Sequence, residues 1–505
     1  DDAIAVLDYS SLYPSSIISH NLCASSIVLD KAYLGDEGAK KLTAKGLAFK
    51  DIEYDNYVSV RRGVTYEKRR NTQNPTTTCR FIQPRRNPKD HSIEDTDRAI
   101  LPQTLRILLS QRKATRKKIK TEKDPFVCAV LDGLQLAYKV TANSVYGSLG
   151  ATTNPIFFKD IAAATTATGR EMLLFAKRFV MEHFPGSEIV YGDTDSIFIN
   201  FHPKDANGES MTGQEGLAKS IELGIQAGDM ATKELQDEMH LAPQELEYEK
   251  TFYPFILLSK KRYAAMKYEF NPKKGKLNYM GIVLKRRDNA PIVKVMYADV
   301  LDAIMNAKSI PESVRRLRKD LEQLIAGKYP LDYLVISKSL RSHYDNPDQI
   351  VHKVLADRMA ERDPGNKPQA NDRIPYAYID VGDRQITLQG ERVEHPDFIR
   401  ANNLRTDATF YITNQISKPI AQIYALVLEQ LPGYKHRNDP HYFENLRRKY
   451  RDEGRAEDKI RKKIEEVRIT MATEILFGRY LREERNRREG SRTILEFFGR
   501  APKGS

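Results

Sequence analysis

A chain of 505 residues with 40% hydrophobic and 30% charged side chains can pack an interior, and its length predicts roughly two to four lobes. Its formal charge of +13 favours a polyanionic partner, and no apolar run approaches the roughly 20 residues needed to cross a bilayer, so no membrane partner is expected. Cys23, Cys79 and Cys128 are the only cysteines and never form Cys-x-x-Cys, which argues against a disulfide framework or zinc module and fits a reducing intracellular setting.

Asp1-Asp2 lead straight into an apolar Ala-Ile-Ala-Val-Leu run, with no signal-peptide pattern and no Met. Residues 3–8 therefore read as a core strand, and the chain as a piece of a longer protein. A turn at Tyr13-Pro14 and a short helix follow. Residues 31–98 are polar and read as loops and short strands. From Leu101 to Thr121 the spacing predicts a helix opened by Pro102, bearing Arg112, Lys113, Arg116, Lys117, Lys118 and Lys120. Asp124-Pro125 breaks it. A second helix over 127–146 ends at Gly147 as a left-handed cap, so the two helices form a hairpin with one basic face. A third helix runs over 159–182. Glu188 to Asn200 reads as two short strands around an acidic turn. Beyond Pro291 the chain is mostly helical with long connections, and 444–489 has the mixed charge of a solvated helical face. The predicted class is α+β.

Three carboxylates carry the first chemical signal: Asp8 at the end of an apolar strand, and Asp193 with Asp195 in the hairpin turn. Strand alternation puts the latter two on one side, where both can face Asp8. Phosphoryl transfer with two divalent cations about 3.5–4 Å apart needs such hard oxygen ligands. An exposed acidic turn is the alternative for Asp-Thr-Asp taken alone. Lys139, Asn143 and Tyr146 follow at i, i+4 and i+7 on one helical face, a cation, an amide and an aromatic that suit a triphosphate, a sugar and a base pair. Arg112 and Arg116 stack at i, i+4 as bidentate donors for phosphate. Either face alone could simply be solvated.

Asp8-Tyr-Ser-Ser-Leu-Tyr-Pro-Ser-Ser-Ile-Ile18 resembles motif A of the family B DNA polymerases, Lys139-Val-Thr-Ala-Asn143-Ser-Val-Tyr146-Gly147 their motif B, and Tyr191-Gly-Asp-Thr-Asp-Ser196 their motif C. Lys260-Lys-Arg-Tyr263 is similar to the segment that grips primer-template duplex. Arg286-Arg-Asp-Asn289 and Glu361-Arg-Asp-Pro-Gly365 resemble the delta-type enzymes and those of large nuclear-cytoplasmic DNA viruses. The resemblance implies a right-hand architecture: an antiparallel-sheet palm over 1–98 and 148–289, helical-hairpin fingers over 99–147, a largely helical thumb over 290–490, and a tail over 491–505. It implies template-directed DNA synthesis from dNTPs on a primer-template, with two Mg2+ ions for which Mn2+ can substitute. Asp8 and Asp195 would hold both ions and Asp193 would ligate more loosely. Ser11 and Leu12 would offer amides to the triphosphate, and Tyr13 would underlie the sugar and exclude a 2′-hydroxyl. Arg112, Arg116, Lys139 and Asn143 would hold phosphates. Tyr146 and Gly147 would border the nascent pair.

Thr166, Gly169 and Arg170 resemble a DNA-touching Thr-x-x-Gly-Arg element; helix packing is the alternative. Glu249, two residues past Glu247, either approaches the metals or forms a structural ion pair. Asp51-Ile-Glu53 resembles an exonuclease Asp-x-Glu but lies downstream of Asp8 without companion motifs, so no nuclease site is expected. The exonuclease and N-terminal parts that precede motif A in the family are the implied partner of this chain. The cysteine-rich C-terminus of cellular delta-type subunits is lacking, which points to a viral source and to work in a nucleus or a cytoplasmic viral replication site. Ser491-Arg-Thr-Ile-Leu-Glu-Phe-Phe498 resembles a sliding-clamp-binding peptide; a hydrophobic turn docked on the thumb is the alternative. The competing function is a non-catalytic DNA-binding relic or an inactive fragment.

Overall fold

The computed structural model describes residues 2–62, 65–87, 89, 92–282, 289–306, 309–382 and 388–488. By internal contacts the chain divides into two compact units, Asp1–Phe255 with Met266–Leu277, and Ile256–Ala265 with Asn278–Ser505.

The first unit opens with strand β1 (Ile4–Tyr9) and helix α1 (Leu12–Ser19). Residues 31–98 are more ordered than their polar sequence predicts. Helix α2 (Gly35–Ala44), with Asp36 and Glu37 in its positive first turn, precedes strands β2 (Phe49–Asp55), β3 (Tyr57–Arg62), β4 (Thr65–Arg70) and β5 (Thr76–Ile82). These strands pair as two antiparallel ladders, β2 with β5 and β3 with β4. Asp51, in the exonuclease-like tripeptide, is held in β2 by Arg80 at 2.7 and 2.6 Å, which makes it a structural ion pair.

Helices α3 (Ile100–Thr121) and α4 (Pro125–Gly150) form the expected hairpin. Asp124 caps α4 by accepting from the Phe126 N–H at 2.8 Å, and Pro125 takes the first position, where no amide is needed. Gly147 is not a left-handed cap: the helix runs one turn further, to Gly150, because buried Leu149 gives that turn a core contact. Helix α5 (Lys159–His183) follows, then strands β6 (Glu188–Asp193) and β7 (Ser196–Asn200), helix α6 (Gly213–Lys233) and strand β8 (Leu246–Ser259). With β9 (Arg262–Tyr268) and β10 (Lys276–Met280), the sheet has the order β10-β9-β8-β1-β7-β6, and β1 is antiparallel to both its neighbours.

Alternation along β1 sends Ala5, Leu7 and Tyr9 into a core with Met172 and Phe175 of α5 and Leu217, Ile221 and Ala227 of α6. Asp8 is thereby left on the opposite face. A second core joins Ile17 and Ile18 of α1 to Leu105, Ala142, Leu149 and Ile161, which seats the α3–α4 hairpin on α1.

The second unit contains helices α7 (Pro291–Met305) and α8 (Ile310–Ile325), strand β11 (Ile336–Ser339), helix α9 (Val351–Arg362) and strands β12 (Arg373–Tyr378) and β13 (Val393–Glu394). Helices α10 (Pro396–Ala401), α11 (Ala408–Phe410), α12 (Ser417–Tyr424), α13 (Tyr442–Asp452) and α14 (Glu457–Arg488) complete it. The small sheet β11-β12-β13 interrupts the expected helical run. Buried Arg392 and Asp407 pair at 2.7 Å, and Arg362 of the Glu361–Gly365 motif donates twice to Glu394 at 2.9 Å. The charged face predicted over 444–489 has an apolar side: Ile460, Ile464, Ala472 and Phe477 are buried.

Candidate active site

The geometry begins with the register of β1. Asp8 lies opposite Ser196 on β7 and Glu247 on β8. Between Val6 and Leu7 the β8 register slips, because Val6 faces Lys250 and Leu7 faces Tyr248; Glu249 is the extra residue of a bulge. The slip turns three acidic or basic side chains of β8 toward the end of β1. In the tight turn after β6, Thr194 has φ 55°, its hydroxyl donates to the Asp193 carboxylate at 3.1 Å, and the Asp195 carbonyl accepts the Tyr9 N–H at 2.8 Å.

Electrostatics follow from that packing. Asp8 is pushed from 3.8 up to about 7, first by burial and then by the neighbouring charges of Asp195, Glu249 and Glu247, with Lys250 opposing them. Lys250 also bonds Glu249 at 2.8 Å, so Glu249 forms the ion pair, and its charge acts on Asp8 as well. Burial and Glu245 raise Glu247, while Arg116, Lys113 and Arg112 pull it down. Asp195 is the carboxylate that acts most strongly on Asp8, and in the same turn the Asp193 carbonyl accepts the Asp195 N–H at 2.6 Å. Among the described residues, no three acids converge as a full ligand set for one ion. Magnesium usually takes only one or two carboxylates, with water and substrate phosphates completing its shell, so these hard oxygens, whose mutual repulsion a cation would relieve, still fit a divalent cation.

The second part of the site is a turn. Ser11 adopts φ 55° before α1, a left-handed conformation that costs a non-glycine residue of order 1 kcal/mol. The first amides of α1, those of Leu12 and Tyr13, have no intrahelical acceptors. The Arg112 Nη1 donates to Ser11 Oγ at 3.4 Å, and its Nε donates to Gln135 Oε1 at 3.5 Å. Gln135 is one turn before Lys139, so Arg112 reaches the same face of α4 as Lys139 and Asn143, both exposed. That face ends at Tyr146, whose ring centroid is 4.4 Å from that of Tyr13. Gln135 was not singled out from the sequence; its i−4 spacing from Lys139 was the available signal.

Gly169 is buried against this turn: a Cβ there would lie 3.0 Å from Tyr13 Cε1 and 3.3 Å from Leu12 Cδ2. Thr166 bonds the carbonyl of Ala163 at 2.8 Å, and exposed Arg170 lies 3.6 Å from Asp55. The helix-packing alternative thus describes Gly169 in this conformation, whereas Arg170 remains solvent-facing. Lys260, Lys261, Arg262 and Tyr263 fall in the second unit. Lys260 and Lys261 form the exposed turn between β8 and β9, Tyr263 is buried, and Arg262 donates to Gln422 Oε1 at 2.8 Å. Gly281 is required beside that turn, since a Cβ would sit 2.0 Å from the Lys261 carbonyl oxygen. Residues 286–288 and the tail over 491–505 lie outside the described residues.

A family model for DNA polymerase family B matches residues 1–427. The chain belongs to that family. This family B chain is 41% identical to a DNA polymerase of Pyramimonas orientalis virus, over 99% of its own length and 42% of that protein. It is 33% identical to a DNA polymerase delta catalytic subunit of Oryza sativa, over 84% of the chain and 34% of the subunit. The chain thus spans less than half the length of these relatives, one a viral DNA polymerase and the other a delta catalytic subunit. Its fold is similar to the family B DNA polymerase of the archaeon Pyrobaculum calidifontis, with a TM-score of 0.51 and 23% identity over 84% of this chain and 45% of that one. Among the described residues no helix is long and apolar enough to cross a membrane.

Proposed function

We propose that this chain is the nucleotidyl-transfer core of a DNA polymerase, extending a primer 3′ end with dNTPs under the direction of a template. The observation that carries the reading is the juxtaposition of Asp8 with Asp195 and Glu249 at the end of β1, beside a cavity lined by Ser11, Arg112 and Glu247. In this reading residues 1–98 and 148–289 are palm, 99–147 fingers and 290–490 thumb. Magnesium or manganese, held by Asp8 and Asp195 with Asp193 as a looser ligand, would supply positive charge to the attacking 3′ oxygen and the leaving phosphate oxygens. The Ser11 and Leu12 amides, Arg112, Arg116, Lys139 and Asn143 orient the triphosphate. Tyr13 lies under the sugar, and Tyr146 and Gly147 border the base pair. Thr166, Arg170, Lys260 and Lys261 are proposed duplex contacts. An N-terminal exonuclease part, a sliding clamp engaged through Phe497 and Phe498, and a nuclear or viral replication site belong to the same proposal. Primer extension by the chain, alone and with the N-terminal part of its polymerase supplied, tests it; a DNA-binding chain that extends no primer in either case would be the relic instead.

Two further results are expected. Lys139→Ala should raise the apparent dNTP constant about tenfold while leaving the salt dependence of duplex binding unchanged, because one exposed cation meets the nucleotide and not the template. A steady-state titration beside salt-dependent DNA binding checks both halves.

The second concerns pH. Asp8 binds its proton more tightly in the folded chain, at about 7, than at its ordinary 3.8. Its contribution to stability is therefore full below about pH 4 and is lost as pH rises through about 7. A divalent cation favours the deprotonated form, so magnesium should raise the melting temperature more at about pH 8 than at about pH 6. Asp8→Asn should remove that difference in thermal melts.

A further inference from the structure

A cavity of about 880 Å3 opens beside the Ser10–Ser11 turn of the first unit. One wall carries Ser11, Arg112 and Arg116, the groups assigned above to the incoming triphosphate. The opposite part of α3 supplies a second set of lining residues: Arg106, Lys113, Lys117 and Lys120. Their spacing of i, i+7, i+11 and i+14 puts them on one helical face, turned by roughly 100° from the Arg112–Arg116 stripe. Lys113 and Arg116 both act electrostatically on Glu247, the strand partner of Asp8, so the two stripes meet next to the carboxylates.

Charge decides what such a space holds. Six cationic side chains line the cavity against two acidic ones, Glu245 and Glu247. A concave surface with a threefold preponderance of one sign concentrates small polyanions. The incoming triphosphate engages the first stripe through its β and γ phosphates, and transfer converts those same phosphates into a free leaving group. The second stripe is made of residues other than those assigned to sugar or base. Lys113, Lys117 and Lys120 run from beside Arg112 and Arg116 to the exposed last turn of α3, with Arg106 two turns before Lys113.

We propose that Arg106, Lys113, Lys117 and Lys120 form a transit site for inorganic pyrophosphate, which takes the leaving group from the Arg112–Arg116 end and releases it to solvent. The inference rests on the polymerase reading above, but its first test does not. Lys113 and Lys117 are both exposed, so Lys113→Ala/Lys117→Ala keeps the core of the hairpin.

Calorimetric titration of the chain with magnesium pyrophosphate, without DNA, should show binding about tenfold weaker in the double variant, with affinity restored by Lys113→Arg/Lys117→Arg. Under primer extension, the pyrophosphate concentration for half-inhibition should rise about tenfold while the apparent dNTP constant stays within about twofold. Unchanged pyrophosphate binding in the double variant would overturn the proposal and leave the stripe as a solvated face. A dNTP constant rising in parallel would overturn it in favour of a wider triphosphate grip. A loss of duplex affinity with a shallower salt dependence would overturn it in favour of a nucleic-acid backbone contact. If the chain extends no primer at all, the calorimetric comparison still decides the matter, so failure of the polymerase reading and failure of the transit site are told apart.

Discussion

Asp195→Asn should lower primer extension roughly a thousandfold or more while duplex binding stays close to that of the parent chain. The substitution is nearly isosteric, and the backbone at this position is pinned independently, since the Asp195 carbonyl accepts the Tyr9 N–H at 2.8 Å. The turn therefore keeps its shape and only the charge is lost. That charge is also a main reason, after burial, why Asp8 holds its proton up to about 7. The variant should consequently show a lower Asp8 pKa and a weaker magnesium-dependent rise in melting temperature. Single-turnover extension, with duplex binding measured in parallel, separates these effects. Near-normal turnover would remove Asp195 from the proposed chemistry.

The second large effect is expected at Tyr13. Its ring is fixed from two sides, by Tyr146 at 4.4 Å and by the bare backbone of Gly169, where a Cβ would approach Tyr13 Cε1 to 3.0 Å. A ring so held has little freedom to yield to an extra hydroxyl on the sugar above it. Tyr13→Val should therefore reduce discrimination against ribonucleotides by roughly two orders of magnitude or more, with a much smaller fall in dNTP use. Gly169→Ala should displace the ring by a few tenths of an ångström and shift discrimination modestly without removing it. Competition between matched ribo- and deoxynucleotides reads both variants. Equal discrimination in Tyr13→Val and the parent would mean that another residue guards the sugar.

Elements whose periodicity was strong were legible in the sequence. The basic helix ending at Thr121, the helix starting at Lys159 and the hairpin around Asp193 and Asp195 appear within a few residues of expectation. Their apolar spacing and breakers are local, so a single chain suffices to read them. The ladders within residues 49–82 were not legible as paired strands. Their side chains are mostly polar, and what orders them is pairing and long-range ion pairs such as Arg80–Asp51. Gly147 misled for a related reason: glycine permits a left-handed stop, but burial of Leu149 outweighs it. At the site, the acidic and basic residue types announced the chemistry. Glu249 was singled out by its spacing from Glu247, but the bulge at which it sits was not legible, since a one-residue register slip leaves no mark in composition.

The contact between Tyr13 and Tyr146 has an optical consequence. It ties α1 to the far end of the α3–α4 hairpin through two rings, and the chain contains no tryptophan. Tyr146→Trp would thus install the sole indole of the molecule against the Tyr13 ring. Its emission, excited to the red of tyrosine absorption, would report any change in the contact between α1 and the hairpin.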